Sequence, residues 1–183
     1  MTTRRIVVML AIASLPVTAA TSDREAPAWF LEEIAMLTAG DGRWTADNSE
    51  YRSADEPYDA YVTEWRASFG ATTLSGRLFG LKNGEQSTDF WEFRQYWDPE
   101  AREAVVLQFG WGGRVGIGTA WQQDGRTHSL QTFSAPDGSP HQAGHISWFE
   151  DDVTHVTESF DVVDGAWQPR RRYEWRRSLR LSE

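Results

Sequence analysis

Between residues 42 and 177, apolar and polar positions alternate with a period near two, and clusters of turn-forming residues recur about every ten positions. The clusters are Asp55-Glu56-Pro57, Lys82-Asn83-Gly84, Asp98-Pro99-Glu100, Gly112-Gly113, Asp124-Gly125, Pro136-Asp137-Gly138, Glu150-Asp151-Asp152 and Asp164-Gly165. Between them the pattern predicts strands over 42–51, 60–69, 72–81, 87–97, 104–110, 114–122, 127–134, 144–149, 154–162 and 167–177. No helical periodicity interrupts this series, so consecutive strands pair as hairpins. An antiparallel meander of this length avoids free edges by closing on itself, which predicts an all-β, up-and-down barrel of about ten strands. A two-sheet sandwich is the structural alternative. Ahead of the meander, Trp29, Phe30, Ile34 and Leu37 recur at helical spacing after Pro27, with Glu32 and Glu33 on the opposite side. They predict one short amphipathic helix closing an end of the barrel.

The first twenty residues follow a different logic. Arg4 and Arg5 precede the apolar run from Ile6 to Leu15, and small residues follow to Ala20. Charged start, apolar centre and small-residue end are the order of a secretory signal, cleaved after Ala19 or Ala20. The run is too short to span a bilayer, which takes about 20 apolar residues, so no permanent membrane span is expected. The expected organisation is a signal peptide over 1–20, a linker over 21–27 and one β-barrel domain over 28–183, located in the periplasm or secreted. The paired arginines also hint at a twin-arginine signal, without the rest of that pattern.

Composition narrows the partners. The 183-residue chain carries a net charge of −9, and losing Arg4 and Arg5 makes it −11. Nucleic acid is a poor partner for such a chain, since affinity there comes from Lys and Arg neutralising phosphates. The arginines at 170–172, 176, 177 and 180 are interleaved with Glu174 and Trp175, and read as a solvated strand face. With no cysteine there is neither a disulfide nor a thiolate metal site. His141 and His145 would converge on a metal only in a helix, which Pro140 and Gly144 oppose, so no metal site is expected. Ten tryptophans and an aromatic content of 13% supply ample core. In 89–97 aromatics fall on both faces, as in a lined barrel with a covered exterior or in a homodimer contact on one outer face.

Trp97-Asp98-Pro99, Phe109-Gly110, Gly113-Arg114-Val115-Gly116, Thr119 and the run Asp152 to Phe160, with an early Gly42-Arg43-Trp44 after a short helix, resemble bacterial lipocalin-like (calycin-type) barrel proteins. These are distantly similar to nitrobindin-type heme-binding barrels. The resemblance spans Trp29 to the end and implies the barrel fold. It also implies heme as the one candidate cofactor, held by a C-terminal histidine that matches His155 or, less well, His145.

Three functions follow from these residues. The leading one is a binding protein for a small hydrophobic molecule, lined by Trp65, Arg77, Trp91, Phe93, Phe109, Trp111 and Trp121. In the second, His155, Glu92 or Glu158 with Arg94 performs acid–base chemistry on an apolar substrate, as in an isomerase or cyclase. Heme binding is the third. His155 and Glu158, three apart on a strand, point to opposite faces. The row His155, Thr157, Ser159 is expected to face solvent, as single polar rows of antiparallel sheets mostly do. Gly116 and Gly118 are expected to bend a strand or to leave ligand space under Trp111 and Trp121.

Overall fold

A computed structural model describes residues 25–134 and 138–178. The signal pattern over 1–20, residues 21–24 of the linker and the Pro136-Asp137 part of one turn lie outside the described residues. Within them, helix α1 (Ala28–Thr38) is followed by β1 (Arg43–Asp47), β2 (Ala60–Ser68), β3 (Thr73–Lys82), β4 (Glu85–Asp98) and β5 (Glu103–Gly110). Then come β6 (Arg114–Gln123), β7 (Arg126–Ser134), β8 (Pro140–Asp151), β9 (Thr154–Val163) and β10 (Ala166–Arg177). Every strand pairs antiparallel with its neighbour in sequence, and β1 pairs with β10 to close a ten-stranded barrel. No helix among the described residues is long and apolar enough to cross a membrane.

Local chemistry sets the turns. Asn83-Gly84, Asp124-Gly125 and Asp164-Gly165 each place two successive residues at positive φ, between 51° and 79°. That is the mirror-image turn whose twist matches a two-residue hairpin, and Asn-Gly and Asp-Gly are the dipeptides that tolerate it best. Two expected boundaries move by four residues. β1 ends at Asp47, not at residue 51, because the chain leaves the sheet there to form a strap over 48–59, anchored where Asn48 N donates to Asp59 O at 3.0 Å. β8 begins at Pro140, four residues before the expected start, since proline with its missing N–H is tolerated at the first position of a strand.

Helix α1 plugs one end. Its apolar stripe, Phe30, Ile34 and Leu37, is buried against Leu74, Ala104, Val106 and Ala120, which come from β3, β5 and β6 on the inner wall. Strands on the closing seam complete the helix by donating to its unpaired C-terminal carbonyls. Trp44 Nε1 of β1 donates to Leu37 O and Arg177 Nη2 of β10 donates to Met36 O, both at 2.9 Å. The seam itself is short. β1 meets β10 through Trp44↔Arg177 and Thr45↔Arg176, whereas β9 and β10 pair along nearly their whole length.

Two irregularities change what faces inward. In β10 the register shifts between Pro169 and Arg171, where Arg170 is the extra residue of a bulge. A shift near residues 78–79 of the β3–β4 ladder similarly lets the consecutive rings of Phe90 and Trp91 face the same space. The glycines of β6 do not leave ligand room. A Cβ on Gly116 would lie 2.4 Å from the Phe133 ring, and one on Gly118 only 1.8 Å from Leu130 O. Both sites are filled by β7, so the space expected under Trp111 and Trp121 is absent.

Candidate ligand-binding cavity

Above the helical plug lies an interior cavity of about 340 Å³. Its wall has two chemically different halves. Trp65, Leu78, Phe90, Trp91 and Phe93 of β2–β4, continued by Val106 and Ala120 of β5 and β6, make a largely apolar arc, interrupted by Thr63, Gln95 and Gln108. The facing arc on β7–β10 presents Thr127, Ser129, Gln131, His145, Ser147, His155, Thr157, Ser159, Arg171 and Tyr173. Because strands of a meander follow one another around the barrel, each half reflects one continuous half of the sequence.

The aromatic arc is accommodated by cross-strand glycines. A Cβ on Gly76 would meet the Trp65 ring at 2.2 Å, and one on Gly110 the Trp91 ring at 2.3 Å. Trp65 is further packed on Phe93, with centroids 5.3 Å apart, and Trp91 meets Phe133 edge to face at 5.6 Å. These rings are therefore braced from behind, as a preformed wall requires.

Glu33 and two histidines reach the cavity with shifted protonation. Glu33, on α1, faces inward and accepts a 2.6 Å hydrogen bond from Thr127 Oγ1. Burial pushes its carboxyl up to about 7, although the Thr127 bond pulls the other way. Burial pushes His145 down to about 4, helped by the charge of Arg170, and His155 down to about 3. Both imidazoles are neutral at pH 7. Glu33 and His145 keep some accessible surface, but it is the surface of the cavity wall. His155 is stacked on Phe149 at 4.5 Å and lies edge-on to Trp44 at 5.8 Å. Its Nε2 and Gln131 Nε2 are buried without a hydrogen-bond partner.

The strap over 48–59 covers part of the opposite end. Glu56 receives both Arg171 Nη1 and Nη2 at 2.5 Å and the Tyr61 hydroxyl at 2.6 Å. Tyr173 Oη donates to Asn48 Oδ1 at 2.9 Å, and Arg171 Nη1 to Tyr173 Oη at 3.2 Å. The Arg171 hydrogen bonds hold the Glu56 carboxyl below its ordinary value, against the opposing effect of burial. Glu56→Gln is expected to lower stability by about 1–2 kcal/mol at pH 7, a figure reduced for the partial exposure of the pair. A depressed carboxylate stabilises above its unfolded value of about 4.3 and loses that contribution as pH falls through the lower folded value. Parent and variant should therefore converge below pH 4 in chemical denaturation; a constant gap would mean that the charge contributes nothing.

The residues expected from sequence separate cleanly. Trp65, Trp91 and Phe93 line the cavity. Arg77 lies on the outer face, where it pairs with Glu64 at 2.8 Å and with Asp89 at 3.3 Å and covers the Phe79 ring. Phe109 and Trp111 are exposed, at 40% and 79%, and Trp121 stacks on His128 outside the barrel at 5.6 Å. Glu92 and Arg94 sit in a shallow outer groove with Glu64 and Arg66, and Glu158 faces outward near Arg172 at 3.8 Å. Of the acid–base candidates only His155 is inside, and its row with Thr157 and Ser159 faces the cavity and not solvent. Alternation placed the three on one face correctly; the error lay in which face is wet. Glu33, expected on the outer side of the helix, points in; Arg171, read as part of a solvated strand face, lines the cavity instead, because the β10 bulge turns it inward; and Gln108, Gln131, Tyr61 and Tyr173 had no individual signal. No protein-family model matches the chain, and no curated protein matches it.

The His155 position does not suit a heme iron. A metal ligand needs an open approach along the nitrogen lone pair, and Nε2 of His155 is wholly covered. His145 also lines the cavity, and its nitrogens are not among the buried, unpartnered atoms.

Proposed function

We propose that this protein is an exported carrier whose barrel holds one small amphipathic molecule, apolar along one side and rich in hydrogen-bonding groups along the other. The two-sided wall of the cavity carries this reading. Its volume is within the range of small-molecule sites, and its combination of braced aromatics with a limited set of polar groups is what fixes a ligand's orientation. The expectation of a small hydrophobic ligand is thereby narrowed: an apolar body alone would leave the hydroxyls, amides and imidazoles of β7–β10 unpaired, at about 1–3 kcal/mol for each buried group. Export rests on the N-terminal residue pattern.

The test is occupancy. Native mass spectrometry of protein purified from its own host is expected to show a bound small molecule, and Ser129→Trp, which fills the cavity from the polar wall, is expected to remove it. Retention of the same bound mass by that variant would end the carrier reading.

A second reading is favoured by Glu33. A carboxyl titrating near neutrality in the same cavity as the neutral His145 imidazole offers a proton donor and an acceptor in one space, the requirement of an acid–base isomerase or cyclase. In that case the bound compound disappears on incubation with parent protein and persists with Glu33→Gln. Heme is a third reading and rests on His145; an unchanged Soret band on adding heme to purified protein would exclude it.

A further inference from the structure

Beyond the inner cavity the barrel opens into a second chamber of about 680 Å³. The two spaces share Trp91, Gln108, His145, Ser159 and Arg171, which form a collar between them. The outer chamber is cationic in a chain whose net charge is −9. Arg114, Arg170 and Arg171 border it, with His141, against the carboxylate of Glu56. Arg171 is already neutralised by Glu56, and Arg170 Nε lies 3.3 Å from Asp161 Oδ2. His141 Nε2 is 3.2 Å from Asp161 Oδ1, without hydrogen-bond geometry. Arg114 has no ion-pair or hydrogen-bond partner among the described residues. Its position in β6 has the inward parity of Gly116 and Ala120, so its guanidinium stands at the rim over the collar. The β10 bulge adds to this: without it, consecutive Arg170 and Arg171 would point to opposite faces, yet both line the chamber.

We propose that the outer chamber binds the anionic head of the carried molecule, a carboxylate or phosphate held by Arg114 with Arg170, while its apolar body passes the collar beside Trp91. This rests on the carrier reading and adds the ligand's charge class to it. An arginine fork suits such oxygens, and among the described residues the Arg114 guanidinium has no existing pair to be broken.

Calorimetric titration with four probes sharing one ring system tests it: 2-naphthaleneacetate, 2-naphthyl phosphate, 2-(2-naphthyl)ethanol and 2-(2-naphthyl)ethylammonium. The carboxylate or the phosphate, or both, should bind about 10- to 100-fold more tightly than the alcohol, and the ammonium more weakly than the alcohol. The stronger of the two anions identifies the head group. Arg114→Gln should collapse that preference to less than about threefold, and Arg114→Lys should retain part of it. If the alcohol and both anions bind parent protein equally, the anion site is wrong and the carrier stands. Should Arg114→Gln keep the full preference, the site is likewise wrong. Binding of none of the four overturns the carrier reading and the anion site with it.

Discussion

Phe30→Ala is expected to destabilise the protein by about 3–5 kcal/mol, the largest loss foreseen for a single side chain. Phe30 is 1% exposed and sits where α1 meets the barrel, with Trp29 at 5.7 Å and Trp97 at 6.5 Å between ring centroids. Its neighbours there are β-strand side chains fixed by ladders on both sides, so they cannot collapse into the space left behind, and the cavity penalty adds to the lost transfer energy. The urea midpoint of unfolding measures the effect. A loss below about 1 kcal/mol would show that the helix does not seat on the barrel, and the cavity would lose its floor.

Opposite pH dependences are expected from the groups inside the cavity. His145 and His155 have folded values below the unfolded 6.5, at about 4 and about 3. Between pH 6.5 and 4 the unfolded chain binds their protons and the folded chain does not, so each contributes stability that is complete above 6.5 and declines as pH falls. For His145 the full decline is on the order of 3 kcal/mol at 1.36 kcal/mol per unit. Glu33 runs the other way. Its folded value near 7 exceeds the ordinary 4.5, so its protonated form stabilises fully below 4.5 and that contribution disappears as pH rises to 7. Glu33→Gln should therefore be more stable than the parent by about 2–3 kcal/mol at pH 8 and equal to it at pH 4.5. Denaturation curves from pH 4 to 8 decide the matter; a variant less stable than the parent at pH 8 would place the Glu33 carboxylate in a favourable ion pair. A carboxyl kept inside at such a cost is more readily understood by its use with a ligand or substrate than by any part in holding the fold.

The fold was legible because its signals are local. Asn83-Gly84, Asp124-Gly125 and Asp164-Gly165 encode hairpins by backbone preference alone, and the alternation in 60–68 sorted Tyr61, Thr63 and Trp65 onto one face without knowledge of any neighbour. Strand ends were less legible where tertiary contacts decide them, as at Asp47, where the strap takes over. The cavity was half legible. Trp65, Trp91 and Phe93 line it, but Phe109, Trp111 and Trp121 are equally aromatic and lie outside, because residue type does not record which face of a strand is inner. A cross-strand glycine does record it, as Gly76 does for Trp65 and Gly110 for Trp91, but that pairing requires the register. The polar wall was misread for a physical reason: polar rows usually face water, and only an interior that remains open allows them to face in. Glu33 was hidden for the same reason on the helix.

The short β1–β10 seam has a kinetic side. Every other ladder joins strands that follow one another along the chain, so it can form as a hairpin with little loop-closure entropy. The seam alone must bring the two extremes of the meander together for only two register pairs, and it cannot nucleate folding. The barrel should assemble as a curling ribbon of hairpins that closes last. Helix α1 makes that closure profitable: it grips β3, β5 and β6 through its apolar stripe and takes hydrogen bonds from Trp44 and Arg177 on the two sides of the seam. The plug is thus also the latch, and the barrel's last folding step and the sealing of its cavity are the same event.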